Sequence, residues 1–136
     1  MTYTWDSSLE TGNQTIDEQH KQLVVAVNDL LKACRRGCGK RELEKTIDFL
    51  ISYTVQHFHD EEELQKQSNY PDYLRHRKIH EDFKVVAANF AERLRIEGAT
   101  VALVAEVYSS LGDWLLNHIK GDDFKMAAYL QSRKDN

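Results

Sequence analysis

The chain has 136 residues, 41% of them hydrophobic and 29% charged, with a formal net charge of −4. That is enough for one domain with a real core, and its acidic balance argues against a nucleic-acid binder, which needs a basic face. No apolar run approaches the ~20 residues of a membrane span, and the start MTYTWDSSLETGNQ has no basic patch followed by an apolar stretch; neither a membrane span nor an export signal is expected, and the expected location is cytoplasmic.

Six glycines and one proline allow few turns, which favours an all-α protein of long elements over a sandwich or barrel. Residues 1–14 show no sustained period and are expected to form an irregular arm, with Trp5 and Leu9 as apolar anchors. Thr15 and Glu18 fit a capping box at the start of a first helix. Its stripe reads Ile16, His20, Leu23, Val27, Leu30/Leu31 and Cys34, in alternating steps of three and four. Gly37 and Gly39 are expected to stop it.

The second predicted helix carries Leu43, Ile47, Leu50, Thr54, His57, Glu61 and Leu64, a heptad-like seam of the kind four-helix bundles use. His57 and Glu61 continue the line of Leu43, Ile47 and Leu50, so they should face inward. Ser68-Asn69-Tyr70-Pro71 reverses the chain, with Pro71 placed at the first position of the third helix. That helix presents His76, His80, Phe83, Ala87, Phe90 and Leu94. The fourth starts near Thr100 and presents Val104, Val107, Leu111, Trp114/Leu115 and His118 until Gly121 breaks it. A short helical turn in FKMAAYL and a frayed tail over 132–136 complete the chain. Short connections between long helices favour a single up-down-up-down antiparallel four-helix bundle.

Five of the six histidines, His20, His57, His76, His80 and His118, lie on core-facing stripes; only His59 does not. Burying an imidazole without a partner costs roughly 1–3 kcal/mol. A domain has only ~5–15 kcal/mol of net stability, so five such groups need a common answer. Alternating helices bring the end of the second beside the start of the third, and the end of the fourth beside the start of the first. All five imidazoles and Glu61 then gather at one end of the bundle. The set is too large for one tetrahedral zinc site, whereas two six-coordinate ions sharing carboxylates would use it well. Imidazole with carboxylate suits iron, among other metals.

The spacings His20, His57-x3-Glu61, His76-x3-His80 and His118-x4-Asp123 resemble the hemerythrin family, in its bacterial single-domain branch. Ile16-Asp17-Glu18-Gln19-His20, His57-Phe58, Glu61-Glu62, Tyr70-Pro71, Phe83, Trp114-Leu115 and His118-Ile119 support the resemblance, which spans roughly residues 5–125. Gln65 departs from it, since relatives often carry Met there. Asp122 and Asp123 are equally acidic and both near His118; the family spacing decides for Asp123.

The resemblance implies two iron ions joined by an oxo or hydroxo bridge, with Glu61 and Asp123 bridging them as well. His76, His80 and His118 would hold one iron, and His20 and His57 the other, which keeps an open position for dioxygen. Leu23, Phe58, Trp114, Leu115 and Ile119 would form a dry oxygen pocket. Neutral imidazoles predominate here, while ferritin-like oxidases use more carboxylates, so reversible dioxygen binding is expected rather than enzymatic oxidation. A weak peroxidase-like side activity is compatible with that.

The expected role is oxygen storage, transport or delivery to an oxygen-consuming enzyme, in a monomeric protein. A sensing module, a di-iron enzyme with peroxidase-like or nitric-oxide chemistry, and iron storage or detoxification are the alternatives. Glu62 is a candidate outer partner for a ligand imidazole. Cys34 and Cys38 read as a buried and a surface thiol rather than a redox pair.

Overall fold

A computed structural model describes residues 3–37 and 40–134 of the chain. Its helices are α1 (Gln14–Arg35), α2 (Lys40–Gln67), α3 (Tyr73–Glu97), α4 (Val101–His118) and α5 (Phe124–Lys134). A 3-10 turn at Ser7–Leu9 lies in the N-terminal arm, and a π-turn at Ile119–Asp123 joins α4 to α5. The first four helices form the expected bundle, with α1 packed on α2 and α4, and α2 on α3. No helix among the described residues is long and apolar enough to cross a membrane. Cys38 and Gly39 lie outside the described residues, and with them the cysteine pairing and the second helix stop; Cys34 is half-buried.

The stripes predict the buried faces well, with one shift. Ile16, Leu23, Val27, Leu30, Leu43, Ile47, Leu50, Phe83, Phe90, Leu94, Val104, Val107 and Leu111 are all buried. At the end of α2 the buried residue is Gln65, while Leu64 is only half-buried. Four residues turn an α-helix through slightly more than one turn, so the line drifts and Gln65 takes the inner position after Glu61.

Local signals account for the ends, though not always those the sequence suggests. The N-cap of α1 is Asn13, whose Oδ1 accepts from the Ile16 amide at 3.0 Å. Thr15 is already inside the helix, so the Thr15–Glu18 capping box does not form. Asp17 instead accepts from the Thr11 amide at 2.9 Å and its hydroxyl at 2.7 Å, tying the arm to α1.

α2 closes with Asn69 at φ 57°, and the Tyr70 amide donates to the Gln65 carbonyl at 2.9 Å, a Schellman-type stop. Pro71 is not the first helical residue. It occupies the second position of a turn closed by the Tyr73 amide on the Tyr70 carbonyl at 3.2 Å, and α3 starts at Tyr73. α4 starts at Val101, next to the expected Thr100, which caps it by accepting from the Leu103 amide at 3.1 Å.

The arm is more ordered than its sequence suggests. The Tyr3 amide donates to Asn28 Oδ1 at 2.9 Å, and Asn28 Nδ2 donates back to the Tyr3 carbonyl at 2.7 Å. The ring of Tyr3 lies against Gly112, where a Cβ would come within 2.2 Å of it. At the other end, α5 runs through Ser132–Lys134, residues expected to fray, and residues 135–136 lie outside the described set. Met126 and Leu130 of α5 pack with Ile16 and Tyr70 into a second, smaller core. That core closes the bundle at the end where the histidines gather.

Candidate metal centre

α1 contributes His20, α2 contributes His57 and Glu61, α3 contributes His76 and His80, and α4 ends on His118. Asp123 comes from the π-turn. In an α-helix the fifth residue after His118 would point away from it, toward solvent. A π-turn fits one more residue into the turn and swings Asp123 onto the inner face, where it is fully buried. Gly121 does not break the helix: its backbone is helical and a Cβ there would meet open space. Asp122 stays at the rim, partly exposed.

All seven side chains are buried and converge as two overlapping groups. One is His76, His80 and His118 with both carboxylates; the other is His20 and His57 with the same carboxylates. The oxygens divide accordingly. Glu61 Oε1 lies 2.8 Å from His76 Nε2 and 3.3 Å from His80 Nε2, while Oε2 lies 3.0 Å from His57 Nε2. Asp123 Oδ1 lies 3.2 Å from both His76 Nε2 and His118 Nε2, while Oδ2 lies 3.0 Å from His20 Nε2. The Nε2 atoms of His80 and His118 face each other at 3.1 Å.

Several of these atoms are close without being aligned as hydrogen bonds. Nε2 of His20 and His57, Glu61 Oε2 and both Asp123 oxygens are buried with no hydrogen-bond partner among the described residues. Buried groups of this kind are normally satisfied. Lone pairs that aim at shared points instead of at each other fit a pair of cations between them, and imidazole with carboxylate suits divalent transition metals.

The carboxylates and imidazoles also set one another's charge. Burial pushes Glu61 up, but the imidazoles of His57, His20 and His76 bring it well below the ordinary carboxylate range. Burial and Glu61 push Asp123 up, and His118 and His20 outweigh them, bringing it to about 2. For His20 and His76, burial acts downward, yet Asp123 and Glu61 raise both to about 9. The cluster is therefore built around two anionic carboxylates.

Outer partners hydrogen-bond two of the rings, and a carboxylate stands near a third. His57 Nδ1 lies 2.7 Å from Gln19 Oε1, and Gln19 Nε2 donates to Asp60 at 2.8 Å. His80 Nδ1 lies 2.9 Å from Glu62 Oε2, the contact anticipated for that residue. His118 Nδ1 lies 3.3 Å from Asp122 Oδ2. Gln19, Asp122 and Arg75 carry no periodic signal, being off the apolar stripes; their adjacency to His20, Asp123 and His76 is the only hint.

The apolar surroundings divide in two. Phe58 stacks on His80 with centroids 3.9 Å apart, and Trp114 stacks on His118 at 4.5 Å. Leu23, Trp114 and Leu115 line a small cavity of ≈ 10 Å³ with Val27, Leu50, Thr54, Phe83 and Leu111. Ile119 is fully buried beside His118 but does not line it, nor does Phe58. His59 is exposed, and Gln65 is buried with its Nε2 donating to Met126 Sδ at 2.8 Å.

Known proteins match this arrangement along nearly its whole length. The family described as the hemerythrin HHE cation binding domain matches residues 11–130. A bacteriohemerythrin of Stenotrophomonas maltophilia is 34% identical over 88% of this chain and 75% of its own. A myohemerythrin of Theromyzon tessulatum is 35% identical over 90% of this chain and 89% of its own. The crystal structure of a wild-type hemerythrin superposes with a TM-score of 0.86 at 29% identity, covering 96% of this chain and 98% of that one. Hemerythrins hold a di-iron centre, and the buried histidines and carboxylates here are positioned to hold metal. Fold, length and converging residues thus agree, and the chain belongs to the hemerythrin family.

Proposed function

We propose that this protein binds dioxygen reversibly at a di-iron centre held by His20, His57, Glu61, His76, His80, His118 and Asp123, and that it serves oxygen storage, transport or delivery to an oxygen-consuming enzyme. The observation that carries this reading is the division of both carboxylates between a three-histidine and a two-histidine group. Glu61 and Asp123 each offer one oxygen to either side, so each would be placed to hold both metal ions.

When bound, a pair of iron ions supplies the two electrons that dioxygen draws on and returns on release. The chain's part is to hold, orient and keep dry. His20 and His57 give their side one donor fewer than His76, His80 and His118 give theirs, which leaves room for a small ligand there. Leu23, Trp114 and Leu115 form a largely apolar wall toward the core, while Phe58 and Ile119 back the site. The cavity, about one water in volume, lies on the core side of the cluster and leaves little room for solvent there. Excluding water slows the loss of the bound ligand as a protonated product.

Absorption spectroscopy tests the reading. Ferrous protein exposed to air develops charge-transfer bands in the near-ultraviolet and visible, which fade under vacuum and return with air. A single irreversible conversion to ferric protein favours an oxidase instead, and metal analysis giving one zinc per chain sinks the two-iron centre. Leu115→Ala, which widens the cavity, speeds autoxidation several-fold; an unchanged rate would remove Leu115 from the pocket.

A further inference from the structure

The rings that face the two metal positions are not backed alike. Behind the two-histidine group, His57 has only the neutral carbonyl of Gln19, and His20 Nδ1 has no hydrogen-bond partner among the described residues. Behind the three-histidine group stand two carboxylates: Glu62 is hydrogen-bonded to His80 Nδ1 at 2.9 Å, and Asp122 comes within 3.3 Å of His118 Nδ1 without an aligned hydrogen bond, while His76 Nδ1, like His20 Nδ1, has no hydrogen-bond partner among the described residues. Asp122 is itself held. Arg75, on α3, donates from a terminal nitrogen to Asp122 Oδ1 at 2.8 Å and from Nε to Asp72 at 2.7 Å. The fork fixes one oxygen of Asp122 and leaves the other facing His118.

A carboxylate behind a ligand imidazole fixes its orientation and raises its basicity, whereas an amide carbonyl orients the ring without adding charge. All of the outer negative charge within reach of a ring Nδ1 therefore falls on one side of the pair. Near a site shielded from water, such charge acts strongly on a cation.

We propose that Glu62 and Asp122, the latter held by Arg75, are positioning residues that make the three-histidine position the first to take a metal ion and the last to lose it. The two-histidine position is then the exchangeable one. Control of the first position reaches the surface, because the Arg75 side chain is 46% exposed. The inference rests on the two-metal reading given above.

The test is an anaerobic titration of the metal-free protein with ferrous iron, followed by calorimetry, with bound iron counted by elemental analysis. The wild type shows two resolved steps. Glu62→Gln and Asp122→Asn each weaken the first step by ~10–100-fold and spare the second. Arg75→Ala weakens the same step by a smaller factor, and Gln19→Leu weakens the second step alone. Circular dichroism of each metal-free variant separates these effects from misfolding. If Glu62→Gln or Asp122→Asn does not fold, the exposed Arg75→Ala decides. Fewer than two irons per wild-type chain overturns the two-metal reading itself. Two irons with a first step indifferent to these substitutions, or with both steps weakened alike, overturns the present inference.

Discussion

Toward the C-terminal ends of α1 and α3 the bundle is filled by Leu30, Ile47, Leu94 and Val104, all buried hydrocarbon; toward Pro71 it is filled by five imidazoles and two carboxylates. In the first half each fully buried Leu or Ile contributes roughly 1.5–3 kcal/mol without any orientation requirement. In the second, desolvation opposes burial, and only mutual charge or a bound cation offsets it. The hydrocarbon half can therefore set the helix positions on its own. The polar half inherits that geometry, so the ligands stand ready before any ion arrives.

The contrast can be broken most sharply at the shared carboxylate. Glu61→Gln removes the charge that both groups share, and its loss of metal affinity should exceed the ~10–100-fold typical of an outer partner. Circular dichroism of the metal-free variant should show the bundle intact; two irons retained per chain would mean that Glu61 is not the bridge. On the other side, Leu30→Ala should cost ~2–5 kcal/mol in chemical denaturation, by the same amount with and without metal. A loss confined to the loaded protein would show the halves to be interdependent.

The pH dependence separates the halves more gently. In metal-free protein the raised values of His20 and His76, about 9, stabilise the fold fully below the unfolded value near 6.5. That contribution disappears as pH rises through 9. The lowered Glu61 and Asp123 stabilise it above the ordinary carboxylate range, and that contribution is lost as pH falls through their folded values, about 2 for Asp123. Metal-free melting temperature should therefore fall from pH 6.5 to 9, while iron affinity rises over the same interval because ligation releases these protons. Parallel rather than opposed trends would break the account. The smallest effect concerns α1: Asn13→Ala should lower stability by ~1 kcal/mol, and Thr15→Ala by less than ~0.5 kcal/mol. Equal losses would reinstate Thr15 as the cap.

What the sequence made legible follows the same division. Apolar periodicity locates the buried faces of the four long helices because burial repeats every turn and leaves a trace at each step. It carries His57, Glu61, His76 and His80 inward with the hydrocarbon, since they occupy the same lines. It cannot choose Asp123 over Asp122, because the choice depends on a π-turn and no α-helical spacing predicts one. The resemblance supplies what periodicity lacks there. Nor does it find Gln19 or Arg75, whose roles arise from contacts 38 and 47 residues away in sequence. The Thr15 box and the Pro71 start are local patterns with competing solutions nearby, Asn13 and Asp72, and the chain takes those instead.

The π-turn also determines how the chain tolerates changes in length. Beyond Ile119–Asp123, α5 continues from α4 without a loop, so each residue downstream keeps its direction by counting through that turn. Deleting one residue from 119–122 would let the π-turn close as an ordinary α-turn, which takes up the loss. Asp123 would then stand four residues after His118, on the same face, and Met126 and Leu130 would keep their direction toward Ile16 and Tyr70. Inserting one residue there would instead rotate everything after it by about 100° and dismantle the metal centre and the smaller core together. Replacing Gly121 by alanine would disturb neither, since the added carbon meets open space.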